Sequence, residues 1–233
     1  MAIMPQNKKP TIDDILQHEL AIARLATGSI NSILVPSLEQ TYAEIRRIIR
    51  ERGLPNTPKR LEMLERAIAQ AIRKNNGWGD ITNALDEFAQ YEAGVALATT
   101  QAFTSTALTL TASDRIAQYV NAALMSLESG SRASTGTWAQ FVKGNIDSQI
   151  ENYNNIIRTG YARGQTLRQI SRNLQDVTEG LIRREAESLA RTGYSHYANA
   201  AREAATHEDS IAKSKYETFG VEASYLAAGQ SKR

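Results

Sequence analysis

Few residues of this sequence have the types and spacing that catalysis or metal binding needs. The histidines are His18, His196 and His207, and no two lie three or four positions apart, the spacing that places two imidazoles on one helix face. The sequence has no cysteine, which excludes disulfides, thiolate nucleophiles and thiolate metal sites. We therefore expect no metal site and no cofactor.

A serine beside a histidine is the nearest approach to a nucleophile. Ser195 and His196 lack the Gly-x-Ser-x-Gly spacing and fall inside a predicted helix, away from any strand-to-helix turn. Acids one or two positions apart do not share a helix face, so the pairs Asp13–Asp14 and Glu185–Glu187 predict no general acid–base pair. We expect no enzymatic activity. An enzyme of unrecognised type is the weaker alternative, and it requires alanine at Ser195 and His196 to abolish a measured activity.

Arginine is the one residue type whose pattern suggests an interaction. Residues 158–203 hold eight arginines against five acids, although the net charge of the whole chain is only +2. The guanidinium fork suits carboxylates and phosphates, so this segment predicts contact with an acidic partner or with DNA phosphates. The alternative is a solvated helix face with local salt bridges. The candidate contact residues are Arg163, Arg168, Arg184, Arg191 and Arg202.

These arginines must be positioned by helices, and residues 185–203 give the densest amphipathic pattern in the chain. Small and apolar residues recur there at steps of three and four, which predicts one packed stripe made of Ile182, Ala186, Leu189, Gly193, Tyr197, Ala200 and Ala204. A second stripe is polar and basic. The small residues, Gly193 above all, favour close approach of another helix, and we expect leucine at that position to overpack the contact.

The rest of the chain also favours helices. Aromatic residues make up 6% of the sequence and only five residues are proline, which is typical of long helices more than of a sandwich or barrel. Apolar stripes recur at helical spacing, including Ile12, Ile15, Ile22, Ala26, Ile30 and Ile33, until Pro36 breaks or kinks that helix. Residues 221–228 alternate weakly, which is typical of a short strand. The predicted fold is mainly α, a multi-helix bundle with a short β segment near the C-terminus.

Polar residues suggest where this fold divides. Residues 1–10 predict a flexible tail without the apolar run of a secretory signal, and 129–136 predict a linker rich in Ser, Gly and Thr. A helical region at 11–128 and a helical domain at 137–233, starting with the apolar residue Trp138, would lie on either side of that linker.

Residues 93–113 carry no charge and include six threonines. The length could span a bilayer, but the content of Thr, Ser, Gln and Ala is typical of a small-residue helix buried in a bundle. A membrane-active segment released from a larger assembly is the alternative.

Residues from about Trp138 to Leu226 resemble the phage head-morphogenesis (Mu F-like) minor capsid family. The resemblance rests on a glycine turn at Gly160–Gly164, a short helix that begins Thr166-Leu167, and a helix that bears Ala190-Arg191-Thr192 followed by small residues. It covers about 40% of the chain. The family pattern has an acid straight after Arg-Thr, where this sequence has Gly193. The family pattern then continues into a strand, an Asp-x-Arg turn and a cysteine pair. This sequence contains neither the Asp-x-Arg turn nor the cysteine pair.

The resemblance implies a structural protein of a bacteriophage virion rather than an enzyme. Such a protein would be a portal-associated minor capsid component that acts in head assembly, genome packaging or delivery. Its expected partners are a portal or major capsid protein within a multi-copy assembly, and packaged DNA through its backbone. It would be made in the host cytoplasm and would lie in the capsid interior or at the portal vertex. The alternative is an internal core or genome-ejection protein whose residues 93–113 meet a membrane.

Overall fold

The computed structural model of the protein is built almost wholly of helices. It describes residues 11–104, 113–129 and 132–230, and their side chains except at 104, 113–114, 128–129, 132–133 and 207–230. The mainly α fold that the sequence predicts is therefore confirmed, whereas the expected tail at 1–10 and residues 105–112 of the uncharged stretch lie outside the described residues. The elements are α1 Ile12–Ser29, α2 Val35–Arg52, α3 Pro58–Asn75, α4 Trp78–Thr104, α5 Ser113–Ala122, β1 Met125–Ser129, β2 Arg132–Gly136, α6 Trp138–Ala162, α7 Leu167–Val177 and α8 Arg183–Gln230.

Capping residues set several helix ends. The hydroxyl oxygen of Thr57 accepts a hydrogen bond from the backbone N–H of Arg60 (3.3 Å) at the start of α3. At the end of α2, Gly53 adopts a φ of 69°, which favours glycine. A capping box between Thr166 and Gln169 begins α7.

A π-helical turn at Ile30–Leu34 joins α1 to α2. The sequence predicts a break or kink at Pro36, because proline has no N–H to donate to the preceding turn. The helix does not break there, because the backbone stays helical and the N–H of Val35 donates to the carbonyl of Ile30, five residues back. The widened turn accommodates the proline without ending the helix.

A second π-helical turn, Thr178–Ile182, joins α7 to α8. Both flanking residues, Thr178 and Arg183, have right-handed helical backbone angles, so the backbone is helical without interruption from 167 to 230. The strand expected at 221–228 is wrong, because that segment continues α8. Its alternation was weak, and its alanines are strong helix formers.

The expected linker at 129–136 is wrong in part, because most of it forms a hairpin. Strands β1 and β2 pair antiparallel, with Met125 opposite Gly136 and Ser129 opposite Arg132. Met125 and Gly136 are buried at the base of the hairpin, which fixes the path of the chain into α6. Residues 130 and 131 are not described.

Two compact units make up the fold, and they do not follow the sequential division predicted at 129–136. Unit 1 comprises Met1–His18, Asp86–Ala123 and Tyr197–Arg233, and unit 2 comprises Glu19–Leu85 and Leu124–His196. The long helices α1, α4 and α8 each contribute residues to both units. A boundary predicted from the sequence assumes that each unit is one continuous stretch of chain. This assumption fails here, because single long helices contribute residues to both units.

The core of unit 2 is mostly aliphatic, with Trp78, Trp138, Tyr153 and Tyr194 also buried, and it lies among several helices. Helix α3 packs against α2 and α6, and α7 packs against α6 and α2. Their buried residues include Ile45, Ile49, Leu64, Ile68, Ile72, Tyr153, Ile170 and Leu174.

The stripe expected on α1 is buried only in part. Ile22, Ala26 and Ile30 are buried, but Ile12 and Ile15 are 78% and 50% exposed. Apolar residues surround the first turns of α1 on several sides, so spacing there does not single out one face.

Candidate functional site

The closest helix contact in the predicted packing stripe is between Gly193 on α8 and Trp138 on α6. A Cβ atom at position 193 would lie 2.5 Å from Cζ3 of the Trp138 ring, well inside contact distance. The ring is held in place from two other sides: its Nε1–H donates to the hydroxyl of Thr82 (2.9 Å), and it packs edge-on against Trp78 at a centroid distance of 5.6 Å. Glycine is therefore required at 193 for this packing.

A second glycine contact lies where α6 meets α7. A Cβ atom at Gly160 would lie 2.6 Å from Cγ1 of Ile170, so the two helices touch directly beside their connecting turn. At the other end of the same helix pair, the hydroxyls of Tyr153 and Thr178 are 2.7 Å apart. The Thr178 hydroxyl donates to the carbonyl of Leu174 (2.6 Å), so it accepts the proton of Tyr153. Burial raises the pKa of Tyr153 to about 12.

The remaining packing candidates are also in the interior. Leu189 is buried in unit 2. Tyr197 is buried in unit 1, where its hydroxyl donates to Oδ1 of Asn121 (2.7 Å) and the Asn121 amide donates to Oδ1 of Asp86 (3.1 Å). Burial raises the pKa of the Tyr197 hydroxyl, and the nearby carboxylate of Asp86 raises it further. All four predicted packing residues, Gly193, Tyr197, Leu189 and Trp138, are thus buried.

Five exposed arginines lie along the helical run formed by α7, the π turn and the start of α8. Four of them, Arg168, Arg172, Arg184 and Arg191, share one side of the run, and we call them the arginine row. In the described part of the chain, the first three make no ion pair. Arg191 lies 3.4 Å from Glu187, which also pairs with Arg183 at 2.8 Å. The row therefore keeps an excess of positive charge.

The π turn aligns these arginines. In an uninterrupted α-helix, Arg184 would be turned by about 160° from Arg168, at about 100° per residue. A π turn adds one residue to the ladder, which removes about 100° of this rotation. The four side chains then lie within about 60° of one another over about 35 Å of helix. Sequence spacing alone does not reveal this alignment.

Arg202 differs from the other contact candidates because it has a buried partner. Its Nη2 and Nε atoms each lie 3.0 Å from Oε2 of Glu92, whose side chain is fully buried on α4. On the other side, Nε2 of His18 lies 2.8 Å from Oε1 of Glu92 but out of line for a hydrogen bond. The expectation that Arg202 is free to contact a partner is therefore wrong. The arginine is held inside unit 1 because a buried carboxylate needs a counter-charge.

The nucleophile candidates are not brought into a catalytic arrangement with one another. Ser195 and His196 are consecutive on α8, so their side chains point about 100° apart around the helix. Among the side chains that the structure describes, no group of three or more His, Asp or Glu could hold a metal ion. Within residues 11–104, 113–129 and 132–230, no helix is long and apolar enough to cross a membrane.

Two residues of this site escaped sequence analysis. Glu92 lies four positions after the buried Phe88, and residues four apart share one face of a helix. This spacing places an acid on the apolar face of α4, which indicates a buried charge. Arg172 lies four positions after Arg168 and shares its face, but its alignment with Arg184 depends on the π turn. Comparison with known proteins adds no further residues, since no family model, no curated protein and no solved structure matches the chain.

Proposed function

We propose that this chain is a structural component of a phage virion, a minor head protein that docks on an acidic surface of a portal or major capsid protein. The observation that carries the proposal is the arginine row: an exposed, aligned series of guanidinium groups on a helix whose opposite face is buried. In this role the protein acts in head assembly or in packaging and delivery of the genome.

The row suits a large acidic surface better than a small ligand. Its length of about 35 Å exceeds any metabolite and matches about one turn of duplex DNA. Guanidinium groups bind carboxylates and phosphates through paired hydrogen bonds, so the same row can contact an acidic protein or the DNA backbone. Neither contact requires a catalytic residue.

The rigidity of the row also supports docking. Helix α7 is fixed against α6 by the contact of Gly160 with Ile170 and by the hydrogen bond of Tyr153 to Thr178. Helix α8 is fixed by the contact of Gly193 with Trp138. Binding therefore orders only the arginine side chains, and the entropic cost of association is small. The glycine turn and the Arg-Thr helix that carry the family resemblance are the same segments that hold the row.

Incorporation into particles tests the proposal. The tagged full-length chain, produced in infected cells, is expected in purified virions or portal complexes, and its absence from both would remove the virion role. The double variant Arg172→Glu, Arg184→Glu should lose incorporation. The matched control, Arg24→Glu with Arg50→Glu, also reverses two exposed arginines that make no ion pair in the described part of the chain, and it should be incorporated normally. Equal loss in both variants would show that net charge matters and the row does not.

DNA contact is tested separately with a random-sequence duplex. If the row contacts about four phosphates, log affinity should fall with log salt with a slope of about −3.6. The affinity should then drop about a hundredfold between about 50 and 200 mM salt. A salt-independent affinity, or no binding at low salt, would limit the row to protein partners.

A further inference from the structure

A polar groove lies between α6 and α7, beside the arginine row. Its volume is about 470 Å³, and it is open to solvent along its length. The α6 side is formed by residues that recur every three or four positions, among them Asn152, Asn155 and Arg163, and the α7 side includes Asn173 and Asp176. All of these residues belong to unit 2.

The two helices are antiparallel, which sets opposite charges at different points of the groove. Gly160 contacts Ile170 near the turn, and Tyr153 contacts Thr178 at the far end. Arg163 therefore lies at the turn end. Asp176, two residues before Thr178, lies level with Asn155, about 12 Å away along the helix axis. In the described part of the chain, neither Arg163 nor Asp176 makes an ion pair.

Carboxamide side chains line the groove from its far end towards the turn. Asn152 and Asn155 make no hydrogen bond through their side chains within the described residues, while Asn173 donates to Oε1 of Gln165 at 3.3 Å. Each carboxamide offers both a donor and an acceptor, as a peptide group does. Ile156 lies among them and offers apolar surface to a side chain.

We propose that this groove binds an extended segment of a partner protein, with an acidic residue on Arg163 and a basic residue four positions away on Asp176. An extended chain rises about 3.3 Å per residue, so 12 Å corresponds to about four residues, and side chains four positions apart project to the same side. The carboxamides along the groove hydrogen-bond the peptide groups of the segment. Nucleic acid fits less well, because Asp176 repels phosphate and Arg163 is the one cation that lines the groove.

The inference goes beyond the proposed virion role, because it specifies a ligand chemistry that any partner could supply. It is tested with the full-length chain and three fluorescein-labelled heptapeptides. The charged probe is Ser-Glu-Thr-Ser-Thr-Lys-Ser. The diacidic probe replaces its Lys by Glu, and the neutral probe carries Gln at both charged positions. Threonine and serine are chosen because they do not favour a helix.

Fluorescence anisotropy should rank the probes by charge. The chain should bind the charged probe about tenfold more tightly than the neutral one, since each of two partly exposed ion pairs contributes a few-fold. Asp176→Lys should reverse the preference, so that the diacidic probe binds most tightly. The control Asp147→Lys changes an exposed acid of α6 that lies outside the groove, 3.9 Å from Arg73, and it should keep the original ranking.

Side-chain amide signals locate the binding. In ¹⁵N spectra, the charged probe should shift the carboxamide resonances of Asn152, Asn155 and Asn173. Equal affinity for all three probes, a changed ranking in Asp147→Lys, or shifts confined to other residues would overturn the proposal. Tighter binding of a duplex oligonucleotide that Arg163→Gln abolishes would also overturn it and assign the groove to nucleic acid.

Discussion

Replacing Gly193 by alanine is the sharpest test of the packing that holds the arginine row. The change adds one methyl group in the middle of α8. At most exposed helix positions this substitution is favourable, because alanine has the higher helix propensity. At 193 the added Cβ would lie 2.5 Å from Cζ3 and 2.9 Å from Cη2 of the Trp138 ring. The ring has little freedom to move, because Thr82 holds its N–H and Trp78 packs against it.

The expected magnitude is the balance of two opposing effects. The gain in helix propensity is about 1 kcal/mol. Overpacking costs about 1–3 kcal/mol, and a displaced Trp138 ring leaves a buried N–H unpaired at a cost of about 1–3 kcal/mol more. We expect a net loss of about 1–5 kcal/mol in the free energy of unfolding. For a chain of this length that corresponds to a fall in Tm of roughly 2–20 °C.

Gly144→Ala is the matched control, because Gly144 lies within α6, is exposed, and has nothing within 4 Å of the position of an added Cβ. It should gain about 1 kcal/mol and raise Tm by about 2–4 °C. Both variants are followed by circular dichroism and by tryptophan fluorescence, which reports on Trp78 and Trp138 alone.

If Gly193→Ala is as stable as Gly144→Ala, the close packing of α8 on the indole is wrong. A double-mutant cycle refines the result. Trp138→Phe removes the part of the ring that the new methyl group would strike, so it should cost less stability in the Gly193→Ala background than in the parent. If the stability losses of Gly193→Ala and Trp138→Phe simply add in the double variant, contact between the new methyl group and the Trp138 ring is not the cause of the instability.

Two further predictions concern buried polar groups. Because burial raises the pKa of Tyr153 to about 12, above an unfolded value near 10, its contribution to stability is fully present below pH 10 and is lost as pH rises towards 12. The free energy of unfolding should fall by about 2–3 kcal/mol over this range. In denaturant titrations, Tyr153→Phe should show an alkaline fall in stability that is smaller by this amount. A fall identical to that of the parent would show that Tyr153 does not cause it. Arg202→Met leaves the buried carboxylate of Glu92 without the guanidinium that pairs with it. The free energy of unfolding should fall by up to about 3–5 kcal/mol, and by less than this because Arg202 is partly exposed. In thermal denaturation, the double variant Arg202→Met with Glu92→Met should recover most of that loss. If the single and double variants are equally unstable, the loss comes from lost packing rather than from an unpaired charge.

The sequence predicts well what local chemistry determines. The buried stripe of α8 follows from residues spaced three and four apart, and each of its predicted members from Ile182 to Ala204 is buried. The cap at Thr57 depends on a hydroxyl that binds a backbone N–H three residues on, and the end of α2 depends on the positive φ that Gly53 adopts without a Cβ. The sequence also marks Gly193 as a close-packing position, but it does not identify Trp138, which lies 55 residues earlier, as the group that fills the space.

The features that sequence analysis misses depend on residues far apart in the chain. Arg202 appears as one more member of a polar stripe, because its partner Glu92 lies 110 residues away on another helix. Each π turn inserts a single residue into the helical hydrogen-bond ladder. The apolar residues on either side still recur at helical spacing, so the sequence pattern does not show the insertion. The hairpin at 125–136 has polar residues on its exposed face, so composition makes β2 look like a linker.

The contact between Gly193 and Trp138 also excludes an acidic residue at position 193. An aspartate or glutamate there would begin with a Cβ atom inside contact distance of the indole and would continue with a carboxylate against an apolar ring. Trp138 and an acid at 193 are therefore incompatible in this packing. An acid at 193 would need a smaller residue at 138 or a wider separation of the two helices. The glycine and the tryptophan form one structural unit, and Gly193→Asp should be tolerated only together with a reduction of Trp138.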